Sequence, residues 1–140
     1  MRITLKLAAL TGSRLVLIFC LAFTPAGPCL SAADLPETCY LFSYFIGNGE
    51  DGLHLLWSRD SLAWETLGGG KSYLKPEVGE SRLMRDPCVI QGPDGTFRMV
   101  WTTSWNGKTI GYASSRDLIN WSEQKAIPVM AHEPGTQLGS

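Results

Sequence analysis

The chain has 140 residues, with 12 basic and 13 acidic side chains and no stretch in which Lys or Arg cluster. That balance excludes a basic tract for nucleic acid or for an anionic membrane surface. Five Trp, five Phe and four Tyr set among 15 Gly and 8 Pro suit short aromatic strands joined by tight turns, and such aromatics also suit a sugar-binding cleft.

Taken in chain order, the first segment reads as a targeting signal. Arg2, Lys6 and Arg14 precede a short apolar run over residues 15–23, and Ser31-Ala32-Ala33 offers the small residues of a cleavage site. The run is well short of the roughly 20 residues that cross a bilayer. Residues 1–33 are therefore expected to be a cleaved signal peptide with no membrane anchor, and the protein to be secreted or periplasmic. Residues 34–140 then carry 9 bases against 13 acids, a net charge of −4. Only Cys39 and Cys88 lie in that part. Export would permit a disulfide, while Cys88 falls in an apolar strand pattern where a buried thiol is equally at home; both readings stay open.

Residues 40–46 form an apolar, aromatic run and predict a buried strand. Gly47-Asn48-Gly49-Glu50-Asp51-Gly52 is a turn, because three glycines allow positive φ and Asn or Asp braces it. A second strand follows over residues 53–58, then a corner that closes on Trp64 and Leu67, and Gly68-Gly69-Gly70 breaks the chain. Residues 71–84 connect to Arg85-Asp86-Pro87. Three strands are predicted next, over 88–91, 97–103 and 109–115, separated by turns at 92–95 and 104–108, and a corner ends at Trp121. No stretch of 34–140 has the period of a long amphipathic helix, so the fold class is all-β.

The chain repeats itself once, without a gap. Ser58-Arg59-Asp60 with Trp64 recurs 57 residues later as Ser115-Arg116-Asp117 with Trp121, and the same offset lays Tyr40-Leu41-Phe42-Ser43-Tyr44 over Phe97-Arg98-Met99-Val100-Trp101. A repeat of this size built from strands is the mark of a propeller blade or a related array. The second copy has its full complement, beginning at Asp86-Pro87. The first lacks an Asp-Pro strand, since residues 34–39 are too short and too polar to supply one.

The ordered series Arg85-Asp86-Pro87-Cys88-Val89-Ile90, a Gly/Asp turn, an aromatic strand and Ser115-Arg116-Asp117-Leu118 ahead of Trp121 resembles a blade of the five-bladed β-propeller glycoside hydrolases, most closely family 43, the arabinofuranosidase and xylosidase group. The sialidase Asp-box differs, with one more residue before its Trp and a Gly where Leu62 and Ile119 stand. The resemblance covers about residues 39–137. It implies inverting hydrolysis of O-glycosidic bonds in arabinose- or xylose-containing polysaccharides by a general base Asp, a second Asp that tunes the acid, and a general acid Glu. Base and acid must stand roughly 6.5–9.5 Å apart to admit a water.

Asp86 matches the Asp of the Asp-Pro motif, as base or as second Asp; counting the first copy as blade one makes it the second, and Arg85-Asp86-Pro87 also resembles the related fructan hydrolases. The general acid comes later in the family pattern. About two blades of ~55 residues are in view where five would need many more, so the expectation is a truncated, catalytically incomplete member made of residues 34–140. Two alternatives are a non-catalytic carbohydrate-binding fragment and an interaction scaffold that uses the exposed blade edges, and on any of these readings the two-blade chain is expected to self-associate through those edges.

Around Asp86, Arg85 is expected to orient substrate, and Trp105 and Asn106, on a turn with no core duty, to stack on and bind sugar. Asn48 is the counterpart in the first copy, with Glu50 or Asp51 as fallback carboxylates. Pro87 is expected to hold Asp86 extended. Asp60 and Asp117 read as corner braces, with Trp64 and Trp121 packed between sheets. His54 and His132 lack metal-ligand spacing, and Gly68-Gly69-Gly70 lacks the Lys-Ser/Thr of a phosphate loop, so no metal or cofactor is expected.

Overall fold

The computed structural model describes residues 2–4, 38–133 and 135. The apolar core and cleavage site of the expected signal peptide lie outside them. The described residues form eight strands: β1 (Arg2–Thr4), β2 (Thr38–Tyr44), β3 (His54–Ser58), β4 (Glu65–Thr66), β5 (Arg85–Gln91), β6 (Phe97–Thr102), β7 (Thr109–Ser115) and β8 (Lys125–Pro128). Two four-stranded antiparallel sheets result, ordered β1-β2-β3-β4 and β5-β6-β7-β8. The described residues contain one 3-10 turn, Leu67–Gly70, where Gly68 and Gly69 are left-handed. The fold is all-β, as a partial propeller requires, and the described residues include no helix long and apolar enough to cross a membrane.

The 57-residue repeat carries through to the sheets. β2 corresponds to β6 and β3 to β7, each pair meandering outward from an inner position to an outer strand. In the second sheet the inner position belongs to β5. In the first it is taken by Arg2–Thr4, paired with Thr38–Tyr40 through Arg2↔Tyr40 and Thr4↔Thr38. The outer strands β4 and β8 went unpredicted. They are two and four residues long and without alternating burial, so pairing to β3 and β7, not local pattern, defines them.

Alternation on the inner strands assigns the faces. Leu41, Leu53 and Leu55 of the first sheet meet Phe97, Met99, Trp101 and Ala113 of the second, all buried. Each of the Leu, Phe and Met side chains contributes about 1.5–3 kcal/mol on leaving water. The corners brace both sheets through the same backbone donors. Asp60 Oδ1 accepts from the N–H groups of Leu62 (2.8 Å) and Ala63 (2.9 Å), and Asp117 Oδ1 from those of Ile119 (2.9 Å) and Asn120 (2.7 Å). Backbone donors of Ala63 and of Asn120 are the leading reasons that both carboxyls sit below their usual range. Ser61 and Leu118, one repeat apart, both take positive φ (66° and 65°) to make the turn.

Two expectations need correcting. Trp121 is half-buried against the core, but Trp64 is 38 % exposed and meets Phe42 edge-on instead of a facing sheet; its side of the first sheet is the uncovered one. Cys88 is exposed, not buried, because the strand turns it away from the core, and Cys39 and Cys88 are both free thiols.

Gly111 lies under the Trp101 ring, where an added Cβ would fall 1.9 Å from Cε2. Gly111→Ala is expected to lower stability by about 1–3 kcal/mol, the range for overpacking a closed core. Urea unfolding followed by tryptophan fluorescence checks this, and an unchanged midpoint would contradict the packing described.

Candidate functional site

Asp86 owes its position to a break in the ladder. Between Arg85↔Thr102 and Cys88↔Val100 strand β5 carries one residue more than β6, a β-bulge spent on Asp86 and Pro87. Pro87, which has no N–H to donate, is tolerated there. Pro87 was expected to hold Asp86 extended; instead Asp86 has φ 48°, the left-handed region that Asp enters more easily than most residues. The bulge re-aims its side chain. Ser43 of β2 fastens the same spot from the other sheet, its Oγ donating to Pro87 O at 2.6 Å.

Asp86 is exposed and lines an open cleft of ≈ 480 Å³ between residues 41–45 of β2 and its continuation and residues 86–89 of β5. That volume lies in the usual range for small-molecule clefts, roughly 300–1,000 Å³. Its walls are largely apolar, and among the described residues that line it Asp86 is the one carboxylate.

Beside it, three of the expected residues interlock. Asn48 Oδ1 accepts from Arg85 Nη1 and from Trp105 Nε1, each at 2.9 Å. The Arg85 guanidinium lies 3.6 Å from the centre of the Trp105 ring and 5.3 Å from that of Phe45, so cation–π attraction adds to the hydrogen bonds. Asn48 and Trp105 are one repeat apart, which means that equivalent turns of the two copies touch. Both lone pairs of the Asn48 oxygen are occupied, so its part is to position Arg85 and Trp105. Trp105 remains 49 % exposed and can offer ring surface on the side away from Arg85. Asn106 stands outside this interlock, exposed, with its N–H reaching Ser104 Oγ at 3.4 Å.

The fallback carboxylates divide. Glu50 accepts from Asn48 Nδ2 (3.2 Å), and backbone and Asn48 hydrogen bonds hold its carboxyl below the usual range. Asp51 turns instead to the buried His54, with Oδ2 3.1 Å from Nε2. His54 Nδ1 faces Gly70 O at 2.9 Å and so carries a hydrogen, and no cluster of three metal-ligating side chains occurs among the described residues.

Glu80 was missed by the sequence reading. It accepts from Lys108 N (2.8 Å), Thr109 Oγ1 (2.7 Å) and Thr103 Oγ1 (3.0 Å), clamping the turn that carries Trp105 and Asn106. Those donors, the Lys108 N–H first, bring its pKa from 4.5 to about 2. A carboxyl held so low cannot protonate a leaving group near neutrality, so Glu80 is a positioning residue. An acid in an otherwise featureless connecting segment was its only signal.

With this geometry in place, residues 36–138 match the family described as a probable glycosyl hydrolase domain, related to glycosyl hydrolase family 43. The chain belongs to this family. No curated protein and no solved structure matches it. Membership in a glycosyl hydrolase family makes a carbohydrate the ligand class to consider for the cleft.

Glu80 also gives the site a pH signature. Its folded pKa lies below its unfolded one, so its contribution to stability is full above about 4.5 and is lost as pH falls toward 2. Glu80→Gln is expected to lower the Tm at pH 7, with the gap from wild type closing as the pH approaches 2. A gap independent of pH would show that the carboxylate charge is not what holds the turn.

Proposed function

We propose that this glycosyl hydrolase-related domain is an exported protein that binds arabinose- or xylose-containing polysaccharide in the cleft beside Asp86. A sugar ring lies on the face of Trp105 turned away from Arg85, whose guanidinium backs the other face of the indole and fixes its orientation. Asp86 supplies one of the acids of an inverting O-glycosidic hydrolysis. The observation that carries this reading is the conjunction at one sheet end of a bulged, exposed carboxylate, an apolar cleft and a tryptophan held edge-on by Asn48.

Binding without turnover is a second reading, and one observation favours it for the described residues. Inversion needs two carboxyl groups across the anomeric carbon, and the cleft is lined by a single one. Glu50 and Glu80 are both held below the usual carboxyl range, which fits neither for the acid. Loss of general acid catalysis typically costs about 10²–10⁴-fold in rate.

Arabino- and xylo-oligosaccharides titrated against the purified chain, read by tryptophan fluorescence and calorimetry, are expected to bind. Trp105→Ala should weaken binding by roughly two- to tenfold, since stacking contributes in the range of aromatic contacts, about 0.5–1.5 kcal/mol beyond buried area. Asp86→Asn should preserve the fold and abolish whatever turnover of aryl arabinofuranosides or xylosides the chain has. Binding that ignores Trp105→Ala would sink the site, and turnover that ignores Asp86→Asn would sink the role given to the acid.

A further inference from the structure

Each sheet has two faces, and among the described residues one face of each is packed while the other is only partly covered, His54 and Ser58 being buried on the outward side of the first sheet. The first sheet turns Leu41, Ser43, Leu53 and Leu55 inward, and the second answers with Phe97, Met99, Trp101 and Ala113. The 57-residue offset carries the first set onto Arg98, Val100, Ile110 and Tyr112, which stand on the outward face of the second sheet. It carries the second set back onto Tyr40, Phe42, Tyr44 and Leu56, the outward face of the first. Thus the two outward faces are copies of the two faces that already pack together.

Both remain apolar and partly open to water. Phe42 is 54 % exposed on one, while Val100 is 37 % and Ile127 38 % exposed on the other. Arg98 is the one charge that the offset puts in place of an inward leucine, and Asp94 draws it aside with a 2.8 Å ion pair. The sheet edges, by contrast, are blunted. β1 has three residues and β4 two, β8 carries Lys125 and Pro128, and β5 carries Pro87 and the bulge, all features that discourage strand addition. The uncovered apolar surface is therefore on faces, not edges.

We propose that a second copy of this chain covers it head to tail. The face of Val100 and Tyr112 on one copy receives the face of Phe42 and Leu56 on the next, repeating between molecules the packing found within one. The chain itself carries both halves of the contact, which is why a second copy is the occupant chosen. Such a contact is heterologous, so it either closes into a ring or continues into longer assemblies.

Sedimentation velocity of the purified chain across a hundredfold range of concentration is expected to show concentration-dependent species. Phe42→Glu and Val100→Glu, each alone, should weaken association at least tenfold, because every contact in a uniform population then contains one blocked face. Mixed in equal amounts they should recover a single intact contact and give a one-to-one dimer that grows no further, read by native mass spectrometry with one variant isotope-labelled. Circular dichroism checks that each variant keeps its strands; where one does not, Phe42→Ser and Val100→Ser are judged by the same criteria. A wild-type chain that stays monomeric would assign the faces to some other occupant, such as a further sheet or a different protein, and overturn the proposal. So would wild-type assembly in either single variant, or a mixture of folded variants that fails to pair.

Discussion

The contact between the two sheets is the constraint on which the core and the site both rest. Neither sheet can close a core alone, since the first has an inner strand of three residues and an outer strand of two. Leu53 and Leu55 reach 0 and 1 % exposure, and Met99 and Trp101 reach 0 and 2 %, across that contact. A hydrogen bond contributes a net 0.5–1.5 kcal/mol or so, whereas each of these buried Leu and Met side chains contributes about 1.5–3 kcal/mol. Packing therefore sets the angle between the sheets, and the polar contacts at their ends follow. Ser43 meets Pro87 O, and Asn48 meets Arg85 and Trp105, because the core has already brought those ends together.

Against that frame of regular packing, Asp86 is a local exception. A non-glycine residue in the left-handed region costs roughly 1–2 kcal/mol, less for Asp, whose short side chain tolerates it. The surrounding contacts offset the cost: the bulge is pinned from the opposite sheet by Ser43, and Arg85 ahead of it is held by Asn48 and two aromatic rings. An exposed carboxylate in a strained conformation, fixed on both sides, is the kind of feature that persists where geometry serves function. Its neighbours Glu50 and Glu80 carry no such signature, since each is satisfied by donors that favour the charged form.

Much of the fold was legible because the repeat is exact in register. An offset of 57 residues aligned β2 with β6 and β3 with β7, and it put Ser-Arg-Asp at both corners, where Asp60 and Asp117 do accept the backbone donors expected of them. The misses have physical causes. β4 and β8 have no periodicity of their own and exist through pairing. The rule that Pro extends its predecessor described Asp86 well in isolation but failed in a bulge, where register overrides local preference. Cys88 looked buried because its segment is apolar on average, yet period two sends alternate residues outward. The interlock of Asn48, Arg85 and Trp105 joins residues 37 and 57 apart. Its longer span equals the repeat itself, because equivalent turns of the two copies abut.

Duplication also explains why equivalent positions now do different work. The corners had to stay alike, since each must satisfy the same backbone donors with the same Ser and Asp. The turns were free to diverge, and they did so in complementary ways: one presents the amide oxygen of Asn48, the other the indole N–H of Trp105. The faces diverged less, because each must remain apolar to meet a sheet. Inward leucines at 53 and 55 correspond to Ile110 and Tyr112, and inward Met99 and Trp101 correspond to Phe42 and Tyr44. A pair of sheets in which the corners are alike, the faces similar and the turns specialised gathers its most divergent side chains at the end where the turns meet. Asp86, Arg85 and Trp105 all stand at that end.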